Sequence, residues 1–200
     1  MDSSMAGSLK KHIGVIILAA GSSSRLGKPK QLLMVGGKSL IIRVCEAALS
    51  LNIAKVVVVT GAYAERVRSG IVHLPVMVIF NEEWEEGMAS SIRKGMEVLS
   101  SQMDAVIILL CDQVNLNSSL LAEIRDAYLN SSFKVVYCRY GDEIGVPALF
   151  DKAMFPELFQ LRGDTGAKPI IKRHLEQSQA ISFPGGDTDI DRPSDVRDEL

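Results

Sequence analysis

IGVIILAAGSSSRLGKPK, from Ile13 to Lys30, is the stretch on which the reading of this 200-residue chain turns. Ile13 to Ala19 is a nearly unbroken apolar run rich in β-branched residues, with the length of a strand buried on both faces, as parallel strands are. It opens into Gly21, three serines and the cations Arg25, Lys28 and Lys30. Short residues let backbone approach a ligand, and successive N–H groups can converge on an anion. Open parallel sheets present such sites beyond the carboxyl ends of their strands. Two readings follow: a plain strand-to-helix turn with a solvated basic rim, or a phosphate cradle. Arg25 and Lys30, just past the strand end, favour the cradle. Neither of the commonest phosphate motifs is present. Pro29 follows Gly27-Lys28 and breaks G-x-x-x-x-G-K-[ST], while SSSRL separates Gly21 from Gly27 and removes the close pair of G-x-G-x-x-G.

Outward from this stretch, apolar runs alternate with helical periodicity. Ser39 is a predicted N-cap, and LIIRVCEAALSL repeats at helical spacing through Leu40, Ile41, Val44, Ala47, Ala48 and Leu51. KVVVVT (Lys55 to Thr60), VMVIF (Val76 to Phe80), Asp104 to Cys111 and Lys134 to Cys138 read as strands, and 63–70, 89–99 and 118–129 as helices. Strands alternating with helices predict a three-layer α/β/α sandwich around a mainly parallel mixed sheet. Without a repeat or linker, residues 13–200 are expected to form one domain behind a flexible tail, 1–12.

Three further segments carry chemistry. In NEEWEEGMASS, Trp84 is the only tryptophan and is expected to fold back on the core, while Ser90 and Ser91 either cap the next helix or offer hydroxyls to a ligand. AVIILLCDQ ends abruptly at Asp112. A carboxylate at the tip of an apolar strand either caps the following turn, near Asn115 and Asn117, or serves as a hard oxygen ligand for Mg²⁺. LRGDTGAKPII places a Gly-Asp-x-Gly turn before a helix, which is either a plain capped turn or an anion site helped by Lys168. Pro147, in GVPALF, is expected at a sheet edge or a bulge. Cys111 lacks an evident His partner and reads as core. The histidines His12, His73 and His174 share no motif spacing and are expected at the surface.

Composition removes other classes. A net charge of −2 gives no footprint for nucleic acid or an anionic membrane. Cys45, Cys111 and Cys138 are too few and too unevenly spaced for a disulfide framework or a zinc site. The polar MDSSMAGSLKKH has no apolar signal region, and no apolar run approaches the roughly 18 residues of a membrane span. A soluble, cytoplasmic protein is expected.

LAAGSSSRLGKPKQLL resembles the signature L-A-[AG]-G-x-x-x-R-[LM]-G-x-x-K of nucleotidyltransferases that activate sugar phosphates, methylerythritol phosphate or molybdopterin. Its PKQLL continuation is most similar to the molybdenum cofactor cytidylyltransferases. The resemblance implies a nucleotide-diphospho-sugar transferase-like fold and Mg²⁺-dependent transfer of CMP from CTP to molybdopterin, with Mn²⁺ as an alternative metal. A client enzyme of the molybdenum hydroxylase class would receive the product. It implies nucleotide contacts from Leu18, Ala19, Ala20, Gly21, Ser22, Arg25, Lys30, Gly61, Gly87 and Ser91, with Arg25, Lys30 and Asp112 catalytic. Asp112 matches the metal aspartate of C-D-Q-P, although Val114 replaces the proline. DIDRPSD resembles a C-terminal D-I-D-T-P-E-D and offers Asp189 or Asp191 as a second metal ligand. Pro147, Asp164, Gly166 and Lys168 fall on segments that the family places toward the acceptor. A sugar or polyol phosphate transferase and a cofactor-carrying chaperone are the alternatives; a chaperone would have no need of the metal carboxylate.

Overall fold

The computed structural model describes residues 11–23, 26–52 and 55–186. Arg25, Asp189, Asp191 and residues 1–10 of the expected tail lie outside the described residues.

Chain order is β1 (Ile13–Ala19), a two-stranded ribbon of β2 (Met34–Val35) and β3 (Lys38–Ser39), α1 (Leu40–Leu49), β4 (Lys55–Thr60), α2 (Ala64–Ile71) and β5 (Met77–Phe80). Then follow α3 (Met88–Leu99), β6 (Ala105–Leu110), α4 (Ser118–Leu129), β7 (Val135–Tyr140), β8 (Glu143–Asp151), α5 (Phe155–Phe159), α6 (Lys168–Arg173) and β9 (Ser178–Ser182). Seven strands form one sheet in the order β5-β4-β1-β6-β8-β7-β9. Pairing is parallel except where β8 runs against β6 and β7. The expected three-layer sandwich with a mainly parallel mixed sheet is therefore what the chain forms.

The alternation of β1 divides the core. Ile13, Val15, Ile17 and Ala19 pack with the apolar stripes of α1, α2 and α4, whereas Ile16 and Leu18 pack with α3, α5 and α6. Two glycines permit the α3 approach: an added Cβ at Gly95 would lie 2.7 Å from Ile16, and one at Gly14 would lie 2.9 Å from Leu99. Burying these stripes from water is the main force holding the layers together.

Three local expectations change. Ser39 occupies the N-cap position of α1 but makes no capping bond, because its hydroxyl is buried without a partner. β7 runs two residues beyond Cys138, so Arg139 and Tyr140 are strand, and the turn into β8 is the pair Gly141–Asp142, with Gly141 at φ 57°. Pro147 lies in β8, which has neighbours on both sides rather than at an edge. The bulge alternative explains it. The β7–β8 register shifts between Tyr137 and Cys138, so Val146 and Pro147 fall out of the ladder where proline's missing N–H costs no bond.

Candidate functional site

β1 and β6 end side by side at the point where the chain's winding reverses. β1 leads to β4 on one flank, and the chain later returns to add β6 on the other. Ligands in open α/β sheets bind in the crevice outside such a switch point. Parallel register sets Leu18 opposite Leu110, so the segment after Ala19 and the pair Cys111–Asp112 emerge abreast. Between them lies a cavity of about 470 Å³. Leu18, Ala20, Gly21, Ser22, Lys30 and Gln31 line one side, and Trp84, Gly87, Met88, Ser91, Asp112 and Asp164 the other. Nine of the residues proposed from the sequence thus border one space.

At its polar end, Lys30 Nζ makes an ion pair with Asp112 Oδ2 across 82 residues of sequence. Asp112 is 6% exposed, and its Oδ1 is buried without a partner. It does not cap the next helix; Asn117 does, accepting from Leu120 N–H at 3.0 Å. An ionised carboxylate so enclosed needs a cation, and one of its two oxygens has none. Among the described residues, no three His, Cys, Asp or Glu converge to form a metal cage. One carboxylate is nevertheless what Mg²⁺ commonly takes from a protein when substrate phosphates supply the rest. The site fits such an ion.

Gln31, a residue to which the sequence reading gave no role, fixes the loop. Its Nε2 donates to Ala19 O at 3.2 Å and Gly21 O at 2.8 Å, pinning the strand end to the loop start. Lys30 N–H donates to Ser23 Oγ at 3.1 Å, and Ser23 itself sits at φ 51°. The backbone that carries Lys30 is therefore held from both sides. Ala19 supports this frame through its carbonyl and does not border the cavity.

At the other end, Asn81, buried and also missed, donates to Ser90 Oγ at 2.8 Å and Ser91 Oγ at 3.1 Å. Ser90 returns its proton to Glu83 O or Gly87 O. Ser90 is thus structural, while Ser91 turns toward the cavity with a hydroxyl proton to offer. Gly87 makes the corner before α3 at φ 120°, ψ −170°, with the backbone of Gly163–Asp164 packed against it. Ala89 N–H donates to Gly163 O at 3.1 Å, and Met88 N–H to Asp164 Oδ1 at 3.4 Å. Arg93 braces this wall by donating to Leu161 O and to Glu86, which in turn accepts from Gly163 N–H. The Arg93 hydrogen bond holds the Glu86 carboxyl below the usual range.

Other expected positions separate. Asp164 borders the cavity, but Lys168 does not; it pairs with Glu143 at the β7–β8 turn. Gly166 packs on Met88 Sδ, and Pro147 is buried in β8. Trp84, expected in the core, is half-buried and walls the cavity. It stacks on Gly61, where an added Cβ would come within 2.6 Å of Trp84 Cβ and 2.7 Å of Ala20 O. Gly61 borders a second space of about 560 Å³ with Tyr63, Arg66 and Phe80. Cys111 reaches the main cavity, but burial, then the Asp112 charge, push its thiol up, so it is no nucleophile. His12 and His73 are exposed as expected, whereas His174 is half-buried beside Glu157 at 2.6 Å. Among the described residues, no helix is long and apolar enough to cross a membrane.

Residues 15–178 match the family model of the MobA-like NTP transferase domain. Nicotine blue oxidoreductase of Paenarthrobacter nicotinovorans is 28% identical over 165 residues, covering 79% of this chain and 80% of that protein. Purine catabolism protein PucB of Bacillus subtilis is 27% identical over 172 residues, covering 78% and 79%. Among solved structures, Rv0371c of Mycobacterium tuberculosis H37Rv superposes with a TM-score of 0.82 at 28% identity, covering 94% of this chain and 96% of that one. A manganese complex of Rv0371c also matches, with a TM-score of 0.74 at 24% identity, covering 93% of each chain.

Proposed function

The chain belongs to the MobA-like NTP transferase family and is a nucleotidyltransferase, and on that premise we propose that it transfers CMP from CTP to the terminal phosphate of molybdopterin or Mo-molybdopterin. The observation that carries this reading is the meeting of Lys30 and Asp112 beside the Gly21–Ser22 backbone in one cavity. Cation, carboxylate and short-residue loop together suit a triphosphate and its metal. Ala20, whose Cβ beside a bound base would leave a purine less room than glycine would, supports CTP, and the PKQLL continuation, most similar to the molybdenum cofactor cytidylyltransferases, supports a molybdopterin acceptor. A relative named for purine catabolism agrees with a client enzyme of the xanthine dehydrogenase type.

In this reading the loop backbone, Lys30 and Arg25 grip the triphosphate, and Ser91 with the backbone at Gly87 reads the cytosine edge. Asp112, completed by Asp189 or Asp191, would hold Mg²⁺ or Mn²⁺, which supplies charge neutralisation at the α-phosphate. Manganese in Rv0371c supports a divalent metal here. The acceptor phosphate attacks the α-phosphorus in line, and the bond to the bridging oxygen breaks as pyrophosphate leaves. Lys30 and Arg25 stabilise the charge that develops on the departing group. Such a transfer needs alignment and preorganised charge rather than a covalent intermediate, in keeping with the protonated Cys111. Pro147, Asp164, Gly166 and Lys168 are proposed around the acceptor, within one domain spanning 13–200.

Pyrophosphate release tests the reading, with purified protein, Mg²⁺ and each of the four NTPs, offered molybdopterin or glucose 1-phosphate. Release with CTP and molybdopterin is expected. Release only with the sugar phosphate would assign another acceptor, and tight cofactor binding without turnover would make the protein a carrier.

A further inference from the structure

Asn81 does not border the main cavity, yet it decides what Ser91 can offer there. Its own N–H donates to Thr60 O at 2.9 Å, rooting the residue in the sheet just past β5. Asn81 and Ser91 are 2% and 4% exposed, so neither can satisfy its polar atoms with bulk water. We propose that Asn81 is the positioning residue that sets base preference: it fixes the Ser91 hydroxyl as a donor, so that the cavity favours cytosine, whose ring nitrogen N3 accepts, over uracil, whose N3–H donates. The inference rests on the reading that the base of an NTP lies against Ser91.

The hydrogen bonds leave the protons little freedom. Oδ1 of Asn81 accepts from Glu83 N–H at 3.1 Å, and a backbone N–H can only donate, so the amide's orientation is fixed. Its two Nδ2 protons then go to Ser90 Oγ at 2.8 Å and Ser91 Oγ at 3.1 Å. An amide NH2 accepts nothing, so both serines accept from it and send their own protons elsewhere. Ser90 sends its proton to Glu83 O or Gly87 O. The Ser91 proton has no acceptor among the described residues. Because Ser91 borders the cavity, that proton is left for a ligand.

The same arrangement opposes a ligand that donates. Ser91 Oγ keeps a second lone pair, but offering it to an N–H means swinging the hydroxyl proton to a place without an acceptor, and a buried donor left unpaired is costly. Cytosine and uracil share O2 and differ at N3 and at the group on C4. A donor set against N3 therefore separates the two pyrimidines, by attracting one and leaving the N–H of the other unmet. Replacing the Asn81 amide with a carboxylate keeps the shape and reverses the polarity: the carboxylate accepts from Ser91, whose lone pairs then turn to the ligand.

The test measures CTP and UTP binding to the full chain by calorimetric titration with Mg²⁺ at pH 8, for wild type, Asn81→Asp, Asn81→Ala, Ser91→Ala and the double variant Asn81→Asp with Ser91→Ala. Wild type is expected to favour CTP about tenfold, the scale of one buried hydrogen bond. Asn81→Asp should move that ratio about tenfold toward UTP, and the double variant should show no movement beyond that of Ser91→Ala alone. Asn81→Ala, which orients Ser91 neither way, should reduce the preference, and it repeats the comparison should Asn81→Asp not fold. A residue that merely held up the cavity wall would weaken both nucleotides alike and leave their ratio where it stands. Equal binding of CTP and UTP by wild type, an unchanged ratio in the folded Asn81 variants, or a shift that persists without the Ser91 hydroxyl overturns the inference. Failure of wild type to bind either nucleotide overturns instead the NTP assignment on which it stands.

Discussion

Replacing Gly87 with alanine should break the wall on which the cavity depends. Gly87 sits at φ 120°, ψ −170°, a combination that is essentially glycine-only and costs another residue about 1–3 kcal/mol. The new methyl would lie 2.7 Å from the Asp164 Cα and N and from the Gly163 carbonyl carbon. Those are backbone atoms, with no side chain to rotate away, so relief requires moving the 163–164 turn, and overpacking of this kind costs about another 1–3 kcal/mol. The total is of the order of 3 kcal/mol, or roughly a 6–12 °C fall in Tm for a chain of this size. The turn carries Asp164, and Gly163 O receives the Ala89 N–H, so nucleotide affinity should fall with stability. Gly21→Ala is the control, since its added Cβ meets nothing within 4 Å although it borders the same cavity. It should leave Tm within about 1 °C, as surface substitutions free of strain usually do. Thermal melts by circular dichroism, paired with calorimetric titration of CTP, measure both. A Gly87→Ala Tm within about 2 °C of wild type, less than 1 kcal/mol at this chain length, would refute the reasoning.

Three other substitutions probe the site and the core. Lys30→Ala should weaken CTP binding and cut turnover, whereas Lys28→Ala, exposed and beyond the cavity lining, should do little; steady-state kinetics showing the reverse order would mean that the loop is read in the wrong register. Ala20→Gly, at a buried position bordering the cavity, should raise kcat/KM for GTP relative to CTP without inverting the preference, since removing the methyl lets the backbone recede from a larger ring; an unchanged ratio would sink that reading. Burial pushes Cys45 and Cys138 up to about 12, against 9.0 for a free thiol, so between those values the unfolded chain loses protons that the folded chain keeps. Stability should therefore fall as pH rises from 9, by at most about 1.4 kcal/mol per pH unit for each thiol; urea midpoints at pH 8 and 10.5 should converge partly in Cys45→Ala, and an identical decline would contradict the thiol origin.

Much of the fold could be read because its strands are buried on both faces. Continuous runs such as IGVIILA and KVVVVT admit few other placements, and α1, α3 and α4 follow from plain apolar stripes. Asp112 was legible for the same reason, as a carboxylate that packing does not explain. What escaped lies in contacts between segments distant in sequence. Nothing near Gln31 says that its amide will reach two carbonyls of the β1 end, and nothing in NEEWEEGMASS says that Asn81 will tie Ser90 and Ser91 together. Trp84 read as core because a lone aromatic among acids usually folds inward, yet Gly61 leaves a flat seat that holds it at the cavity wall. Asp164 and Lys168, four residues apart, were taken together; the turn between them sends one to the cavity and the other to Glu143.

The most direct test follows the α-phosphate itself. CTP labelled at that phosphorus is incubated with the protein, Mg²⁺ and molybdopterin, and the products are separated with wild type and Asp112→Asn side by side. The label should pass to the pterin in equal amount to the pyrophosphate released. Asp112→Asn, still folded, should slow that transfer roughly 100-fold or more, as deletion of a principal electrostatic contact does. Label that stays on CTP or on free CMP with the wild-type protein, or transfer at the wild-type rate by the folded Asp112→Asn variant, would contradict the account.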